Sequence, residues 1–166
     1  MKRRAMLSTL SGGIAASLAA GCSVSGLFRG GSRRDFKIIG YFPSYRGTPR
    51  EEQLAQLTHV IFSFATPTAE GGLVNDIKNL REMADAAHRQ GAKTGLAIGG
   101  GAYRDGDFPV IAASAEKRAR FLDACMREAD AYGIDGIDLD WEFPDKGEQA
   151  EGYARMIGEF SKALHK

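Results

Sequence analysis

The chain has 166 residues, 43% of them hydrophobic and 26% charged, so it has the composition of a globular protein and enough length to bury a core. Its formal net charge is only +1, which gives no basic excess of the kind that nucleic-acid binding requires. The composition therefore excludes a disordered protein, and nothing in the charge indicates a nucleic-acid partner.

The first 21 residues have the pattern of an export signal. Lys2, Arg3 and Arg4 form a positive start, and residues 7–20 are a weakly apolar stretch rich in alanine, glycine and serine. That stretch is too short and too interrupted to remain in a bilayer as a spanning helix. The paired arginines resemble a twin-arginine signal, with an ordinary Sec signal as the alternative, and the sequence leaves both routes open.

The signal ends in a segment that resembles a bacterial lipobox, Leu18-Ala19-Ala20-Gly21-Cys22, with Ala19 where leucine is commoner. In such a motif the cysteine is lipidated and becomes the new N-terminus, whereas a signal-peptidase site beside an unrelated cysteine is the alternative. We expect lipidation at Cys22. The lipid would anchor the protein to a membrane, which is therefore an expected partner. The expected location is the cell envelope, periplasmic or outer-membrane-anchored, or secreted. Residues 22–35 then form a flexible Ser/Gly/Arg linker.

From residue 36 to residue 166 the pattern alternates between strands and helices. Strands are predicted at 36–42, 59–65, 93–98 and 134–143, and helices at 50–57, 77–90, 115–132 and 149–164. Ser114 is predicted to cap the third helix, while Gly91 and Gly133 end the second and third. Cys125 lies on an apolar helical stripe and is expected in the core. The alternation predicts an α/β fold with a parallel sheet.

Three acidic residues alternate along the fourth predicted strand: Asp138, Asp140 and Glu142. Because successive strand side chains point to opposite faces, the acids share one face, and Ile137, Leu139 and Trp141 share the other, helix-packed face. In parallel α/β folds active sites lie at the carboxyl ends of the strands. The alternative is an acidic strand at the solvated edge of the sheet. A strand with apolar residues opposite its acids is instead expected at the centre of the sheet, where buried unpaired carboxylates are costly. Mutual repulsion is expected to raise the pKa of at least one of them.

A calcium loop is a rival interpretation of this acidic segment. Such a loop needs glycine at its sixth position and glutamate at its twelfth. Counting from Asp138, these positions hold Phe143 and Gln149. The segment is therefore not predicted to bind a metal.

The segment Asp135-Gly136-Ile137-Asp138-Leu139-Asp140-Trp141-Glu142 resembles the Asp-Gly-x-Asp-x-Asp-x-Glu signature of glycoside hydrolase family 18, the chitinases and related endo-N-acetylglucosaminidases. Residues 39–42, 59–65 and 96–100 resemble the family's first three strands. The resemblance implies a (β/α)8 TIM barrel, of which residues 36–166 supply about the first four βα units. We therefore expect a truncated barrel, with two associating half-barrels as the alternative.

The resemblance also implies substrate-assisted, retaining hydrolysis of N-acetylglucosamine-containing glycans, with no metal or cofactor. By position, Glu142 is the proton donor, Asp140 orients the substrate acetamide, and Asp138 shares a proton with Asp140. Asp135 is expected to be structural. The residues expected to bind substrate or to support the site are Tyr41, whose hydroxyl should lie near Asp138, Trp141, Gly99 and Gly100.

Two positions depart from the family pattern. Ala97 stands where the family has a serine that supports Asp138, and Gly101 stands where many chitinases have a sugar-stacking tryptophan. Weaker activity and weaker binding of crystalline chitin are therefore expected. A carbohydrate-binding lectin and a catalytically incomplete fragment remain the alternatives to an active hydrolase.

The lipobox interpretation predicts that Cys22→Ala abolishes lipid attachment, because the thiol is the atom that is acylated. Labelling with a radioactive fatty acid should mark the wild-type protein and leave the variant unmarked, and the variant should accumulate as precursor. Cys125→Ala is the matched control and should keep its label. Unchanged processing and membrane fractionation of Cys22→Ala would contradict lipidation.

Overall fold

The structure, a computed structural model, describes residues 36–101 and 107–165. The predicted signal, the linker and Cys22 lie outside the described residues. In the part of the chain that is described, no helix is both long enough and apolar enough to cross a membrane.

The described residues form five strands, five α-helices and a short 3-10 turn at Ser44–Arg46. The strands are β1 (Ile39–Pro43), β2 (His59–Pro67), β3 (Leu73–Val74), β4 (Lys93–Gly99) and β5 (Gly136–Asp140). The helices are α1 (Glu51–Leu54), α2 (Leu80–Arg89), α3 (Phe108–Ala113), α4 (Ala115–Tyr132) and α5 (Glu148–Leu164).

Four of the strands form a parallel sheet in the order β1-β2-β4-β5, and β3 pairs antiparallel with the end of β2. Helices connect the parallel strands, as parallel pairing requires. The predicted α/β class and the four predicted parallel strands are therefore confirmed.

The two faces of the sheet have different environments. On the helix-covered face, Val60, Phe62, Leu96 and Ile98 are at most 1% exposed and join the hydrophobic core. The opposite face, here called the site face, carries Tyr41, Ile61, Ser63, Ala97, Asp138 and Asp140, which the strand register places side by side. The alternation of strand side chains thus sends the predicted acids away from the helices.

The predicted signals at the helix ends are confirmed. The Ser114 hydroxyl accepts a hydrogen bond from the Lys117 N–H at 3.3 Å, which caps α4. Gly133 ends α4 with φ +69°, and Gly91 follows α2 with φ +79°, both in the left-handed region that favours glycine. Cys125 is buried, as predicted, and burial raises the pKa of its thiol far above the usual range.

Three features differ from the predictions. Helix α3 and strand β3 were not predicted, and β5 ends at Asp140, three residues before the predicted end. The ladder stops there because the last pair on β5 is Gly99 with Asp140, after which Trp141 turns into the core at 3% exposure. The strand assignment for Trp141, Glu142 and Phe143 was therefore wrong.

Asp135 ties the beginning of β5 to β4 and α2. Its carboxylate accepts hydrogen bonds from the Thr94 N–H at 2.8 Å and the Thr94 hydroxyl at 3.1 Å, and it pairs with His88 at 2.7 Å and Lys93 at 3.2 Å. Partial burial acts to raise the pKa of Asp135, but the hydrogen bonds from Thr94, His88 and Lys93 outweigh it and lower the pKa to about 2. These contacts give Asp135 the structural role that was predicted for it.

We expect Asp135→Asn to destabilise the fold by about 1–2 kcal/mol, because hydrogen bonds to a charged acceptor are stronger than those to a neutral one. The lowered pKa makes this contribution present above the ordinary value of 3.8 and lost as the pH falls towards about 2. The stability difference between the wild type and the variant, measured by urea unfolding, should therefore shrink across that window. Asp85→Asn on the exposed face of α2 is the control, and an equal effect of both substitutions would contradict this role.

Candidate active site

Asp138 and Asp140 lie on the site face near the carboxyl end of β5, and both are half-buried. Their neighbours in the ladder are Ala97 and Gly99 of β4, so neither carboxylate is crowded by a large side chain from that strand. On the opposite face, Ile137 and Leu139 pack against the hydrophobic core. The predicted division of this segment into an acidic face and an apolar face is confirmed for residues 137–140.

The hydroxyl of Tyr41 donates a hydrogen bond to Asp138 Oδ2 at 2.6 Å. This bond joins β1 to β5, the two outer strands of the parallel sheet, and passes over β2 and β4. The hydrogen bond to Asp138, then partial burial, then the charges of Asp138 and Asp140 raise the pKa of Tyr41 to about 12. Tyr41 is therefore a firmly protonated donor, and the prediction that its hydroxyl lies near Asp138 is confirmed.

The pKa of Asp140 is raised above its ordinary value, first by partial burial and then by the charges of Glu142 and Asp138. The expectation that repulsion raises the pKa of at least one acid is confirmed for Asp140, although burial is the larger cause. A carboxyl group in this environment keeps a proton more readily than an isolated aspartate does. Such a group can share a proton with Asp138 and donate it in a hydrogen bond.

Glu142 lies beyond the end of β5, so its position is not set by strand alternation as the sequence analysis supposed. It is half-buried, and a Cβ atom placed on Gly101 would lie 3.0 Å from Glu142 Oε2. The carboxylate thus lies against the backbone that follows β4. Because residue 101 is glycine, no side chain from this position covers the proposed proton donor.

Trp141 supports the site from the core and offers no surface to a substrate. Its ring is 3% exposed, stacks on Phe108 at 5.4 Å between centroids, and meets Tyr153 edge-on at 5.6 Å. Of the two roles expected for Trp141, the structure gives it the supporting one and not the substrate-binding one. Its burial agrees with the predicted helix-packed face, whereas its partner Phe108 begins the unpredicted helix α3.

Gly99 and Gly100 allow the end of β4 to approach β5 closely. Gly99 has φ +110°, and a Cβ atom there would lie 2.3 Å from the carbonyl oxygen of Asp140. The Gly100 N–H donates to that same carbonyl at 2.8 Å, and a Cβ atom on Gly100 would lie 2.7 Å from the ring of Phe64. Both glycines thus support the site through the backbone.

Four aromatic residues that lie near the ends of the strands or against β5 were not predicted as site residues. A register shift in β2 between Ser63 and Ala65 leaves Phe64 40% exposed, against Gly100. Phe143 and Tyr45 follow the ends of β5 and β1 and are 75% and 79% exposed. Tyr153 of α5 donates to the Leu139 carbonyl at 2.6 Å. Tyr45, shortly after the predicted first strand, and Phe143, the last residue of the predicted fourth strand, could have been found from their positions at strand ends. The bulge in β2 left no such signal for Phe64.

Among residues 36–101 and 107–165, no group of three or more His, Cys, Asp or Glu side chains is arranged to hold a metal ion.

The family model described as glycosyl hydrolases family 18 matches residues 37–166. The chain is 30% identical over 112 residues to class V chitinase CHIT5 of Lotus japonicus, a match that covers 64% of this chain and 28% of that protein. It is 28% identical over 140 residues to chitinase B of Serratia marcescens, covering 75% of this chain and 27% of that protein.

A solved structure of the chitinase from Cycas revoluta, in complex with (GlcNAc)3, superposes with a TM-score of 0.68 and 27% identity. That match covers 77% of this chain and 40% of the Cycas protein. The chain thus spans well under half the length of these relatives, and the part it spans includes the strand that carries Asp138 and Asp140.

The close approach at the end of β4 predicts that Gly99→Ala destabilises the protein by about 2–4 kcal/mol, because the new methyl group meets the Asp140 carbonyl and φ is in the left-handed region. Gly136→Ala is the matched control in the paired strand, since nothing lies within 4 Å of a Cβ atom there. Chemical denaturation should separate the two variants clearly. Equal stabilities would contradict the account of this contact.

Proposed function

Because the chain belongs to the glycosyl hydrolases family 18, we propose that the protein hydrolyses β-1,4 glycosidic bonds in N-acetylglucosamine-containing glycans, chitin or chito-oligosaccharides. The observation that carries this proposal is the cluster of Asp138, Asp140 and Glu142 at the carboxyl end of β5, with Asp140 raised in pKa by burial and by its two acidic neighbours. The Cycas revoluta relative, solved with (GlcNAc)3, supports this substrate class.

The proposed reaction is substrate-assisted and retaining, a route that needs one carboxylic acid and no protein nucleophile. Glu142 donates its proton to the glycosidic oxygen, and the bond between that oxygen and the anomeric carbon breaks. The acetamide oxygen of the substrate attacks the anomeric carbon and forms an oxazolinium ion. Glu142, now a carboxylate, takes a proton from a water molecule that opens the ion, which restores the starting state.

Asp140 and Asp138 act on the acetamide and not on the glycosidic oxygen. Asp140 accepts a hydrogen bond from the acetamide N–H, which orients the attacking oxygen and stabilises the positive charge that develops on the ring. The proton that Asp140 then gives up is shared with Asp138, whose carboxylate is already held by the Tyr41 hydroxyl at 2.6 Å. The raised pKa of Asp140 favours this sharing, because it brings the charged and neutral forms of Asp140 closer together in free energy.

The exposed aromatic rings of Tyr45, Phe64 and Phe143 supply the apolar surface of the proposed glycan site. Exposed apolar groups that gather beside polar ones are typical of ligand-binding grooves. Sugar rings have apolar faces that can lie on such side chains. Tyr45 and Phe143 follow β1 and β5, and the Phe64 ring lies against Gly100 just after β4, so we place all three at the end of the sheet that carries Glu142.

A second candidate is a protein that binds the same glycans without cleaving them. It is favoured by Ala97, the neighbour of Asp138 on β4, which carries no hydroxyl to support that carboxylate. The presence of Glu142 favours the hydrolase. Binding without turnover by the wild-type protein would select the second candidate.

We also propose that the protein acts in the cell envelope, anchored through a lipid on Cys22. The signal-like residues 1–21 and the lipobox-like residues that end in Cys22 support this location. An anchored hydrolase would meet glycan outside the cytoplasm, where N-acetylglucosamine polymers are accessible.

In the full-length protein, Glu142→Gln should lower kcat for chito-oligosaccharides by about 100- to 10,000-fold with little change in binding, because the amide keeps the volume but cannot deliver a proton. Glu148→Gln, at the beginning of α5, is the matched control and should keep wild-type turnover. Chromatography of the products and calorimetric binding give the two readouts. Wild-type turnover by Glu142→Gln would contradict the role of this residue.

The substrate itself tests the acetamide mechanism. Cello-oligosaccharides have the same linkage but lack the N-acetyl group, so they lack the attacking oxygen, and no cleavage of them is expected. The comparison uses chito- and cello-oligosaccharides of equal length at equal concentration. Similar rates for the two series would be incompatible with substrate assistance.

A further inference from the structure

Ser63 carries a buried hydroxyl that has no hydrogen-bond partner. The side chain is 2% exposed and its Oγ atom is closed off from solvent. A buried hydroxyl without a partner lowers the folding equilibrium constant by roughly fivefold or more relative to a satisfied one. An unpaired polar group in a core therefore calls for an explanation in function or in hydrogen bonding.

The strand register places Ser63 in the same row of the site face as Asp138. Pro43, Ser63, Ala97 and Asp138 are successive partners across β1, β2, β4 and β5. Neighbouring strands lie about 4.8 Å apart, so Ser63 is about two strand spacings from Asp138, with only the methyl group of Ala97 between them. Pro43 and Ala97, the side chains on either side of Ser63, carry no polar atom.

The Tyr41 side chain brings a polar atom to this row. Tyr41 lies one row below, paired with Ile61, yet its hydroxyl reaches Asp138 Oδ2 at 2.6 Å. The Tyr41 hydroxyl therefore reaches from its own row towards the row that contains Ser63, Ala97 and Asp138. Ser63 and Ala97 are buried on this face, whereas Tyr41 is 55% exposed.

We propose that Ser63 is a positioning residue, whose hydroxyl turns to donate a hydrogen bond to Tyr41 Oη when Asp138 is ionised. The resulting chain runs from the Ser63 O–H to Tyr41 Oη and from the Tyr41 O–H to Asp138 Oδ2. Tyr41 Oη has a free acceptor position, because its own proton is directed at Asp138. Donation into Oη strengthens the bond that Tyr41 makes, since hydrogen bonds in a chain polarise one another.

The consequence for the proposed reaction is a fixed orientation of the Asp138 carboxylate, which holds it ready to share the proton that Asp140 gives up to serve the acetamide. Ser63 touches neither the substrate nor the reacting atoms in this account. The catalytic consequence rests on the proposed function, whereas the hydrogen-bond chain does not.

A double-mutant cycle on the full-length protein tests the chain without any measurement of activity. The four proteins are the wild type, Ser63→Ala, Tyr41→Phe and the double variant, compared by urea unfolding at neutral pH. We expect Ser63→Ala to lower the folding equilibrium constant by about fivefold in the wild-type background and to be neutral or stabilising with Tyr41→Phe. Ser161→Ala, exposed on α5, should have no effect in either background.

An increase in stability from Ser63→Ala that is equal in both backgrounds would overturn the proposal, because it would mean that the hydroxyl is simply unsatisfied. The rescue variant Ser63→Ala with Ala97→Ser moves a hydroxyl one strand closer to Asp138. This variant should restore the coupling in stability with Tyr41→Phe. Failure to restore it would also count against a hydrogen-bonding role for a serine in the row of Asp138.

Steady-state kinetics separate this inference from the proposed function. With chito-oligosaccharides, Ser63→Ala should lower kcat severalfold at an unchanged KM, and Ala97→Ser should recover it. Unchanged kcat despite coupling in the stability cycle would overturn the positioning role. Absence of cleavage by the wild type would refute the proposed function, while the stability cycle would still decide whether the hydrogen-bond chain exists.

Discussion

The hydrogen bond from Tyr41 to Asp138 is the contact on which the proposed site depends. It links the outer strands of a four-stranded parallel sheet and fixes the carboxylate that is furthest from the end of β5. The bond spans β2 and β4, and β4 carries only Gly95 and Ala97 in the two rows that contain Tyr41 and Asp138.

Asp135 and Asp140 are close in sequence, but their different surroundings give the two carboxyl groups different roles. Asp135, where β5 is about to begin, collects donors from Thr94, His88 and Lys93 and has a pKa lowered to about 2. Asp140, at the other end, has a raised pKa because it is partly buried and has acidic neighbours. The first arrangement stabilises a fixed charge, and the second keeps a proton available for sharing.

Apolar runs were sufficient to predict the four parallel strands, and Ser114 and Gly133 were sufficient to predict the boundaries of α4. The alternation of side chains along the fourth strand predicted the face on which Asp138 and Asp140 lie. It failed where tertiary contacts decide the structure. Nothing in residues 134–143 shows that the ladder ends at Asp140, because that depends on Gly99 and Gly100 approaching its carbonyl. The ring that stacks on Trp141 was likewise not predicted, because Phe108 is distant in sequence and begins a helix of only six residues.

Proton donation by Glu142, orientation by Asp140 and attack by the substrate acetamide together fix the stereochemistry of the product. Attack by the acetamide and then by water inverts the anomeric carbon twice, so the configuration of the bond is retained. Proton NMR of the full-length protein cleaving a chito-oligosaccharide, recorded before mutarotation, measures this directly. The account predicts that the β-anomer forms first, whereas the α-anomer as the initial product would contradict it.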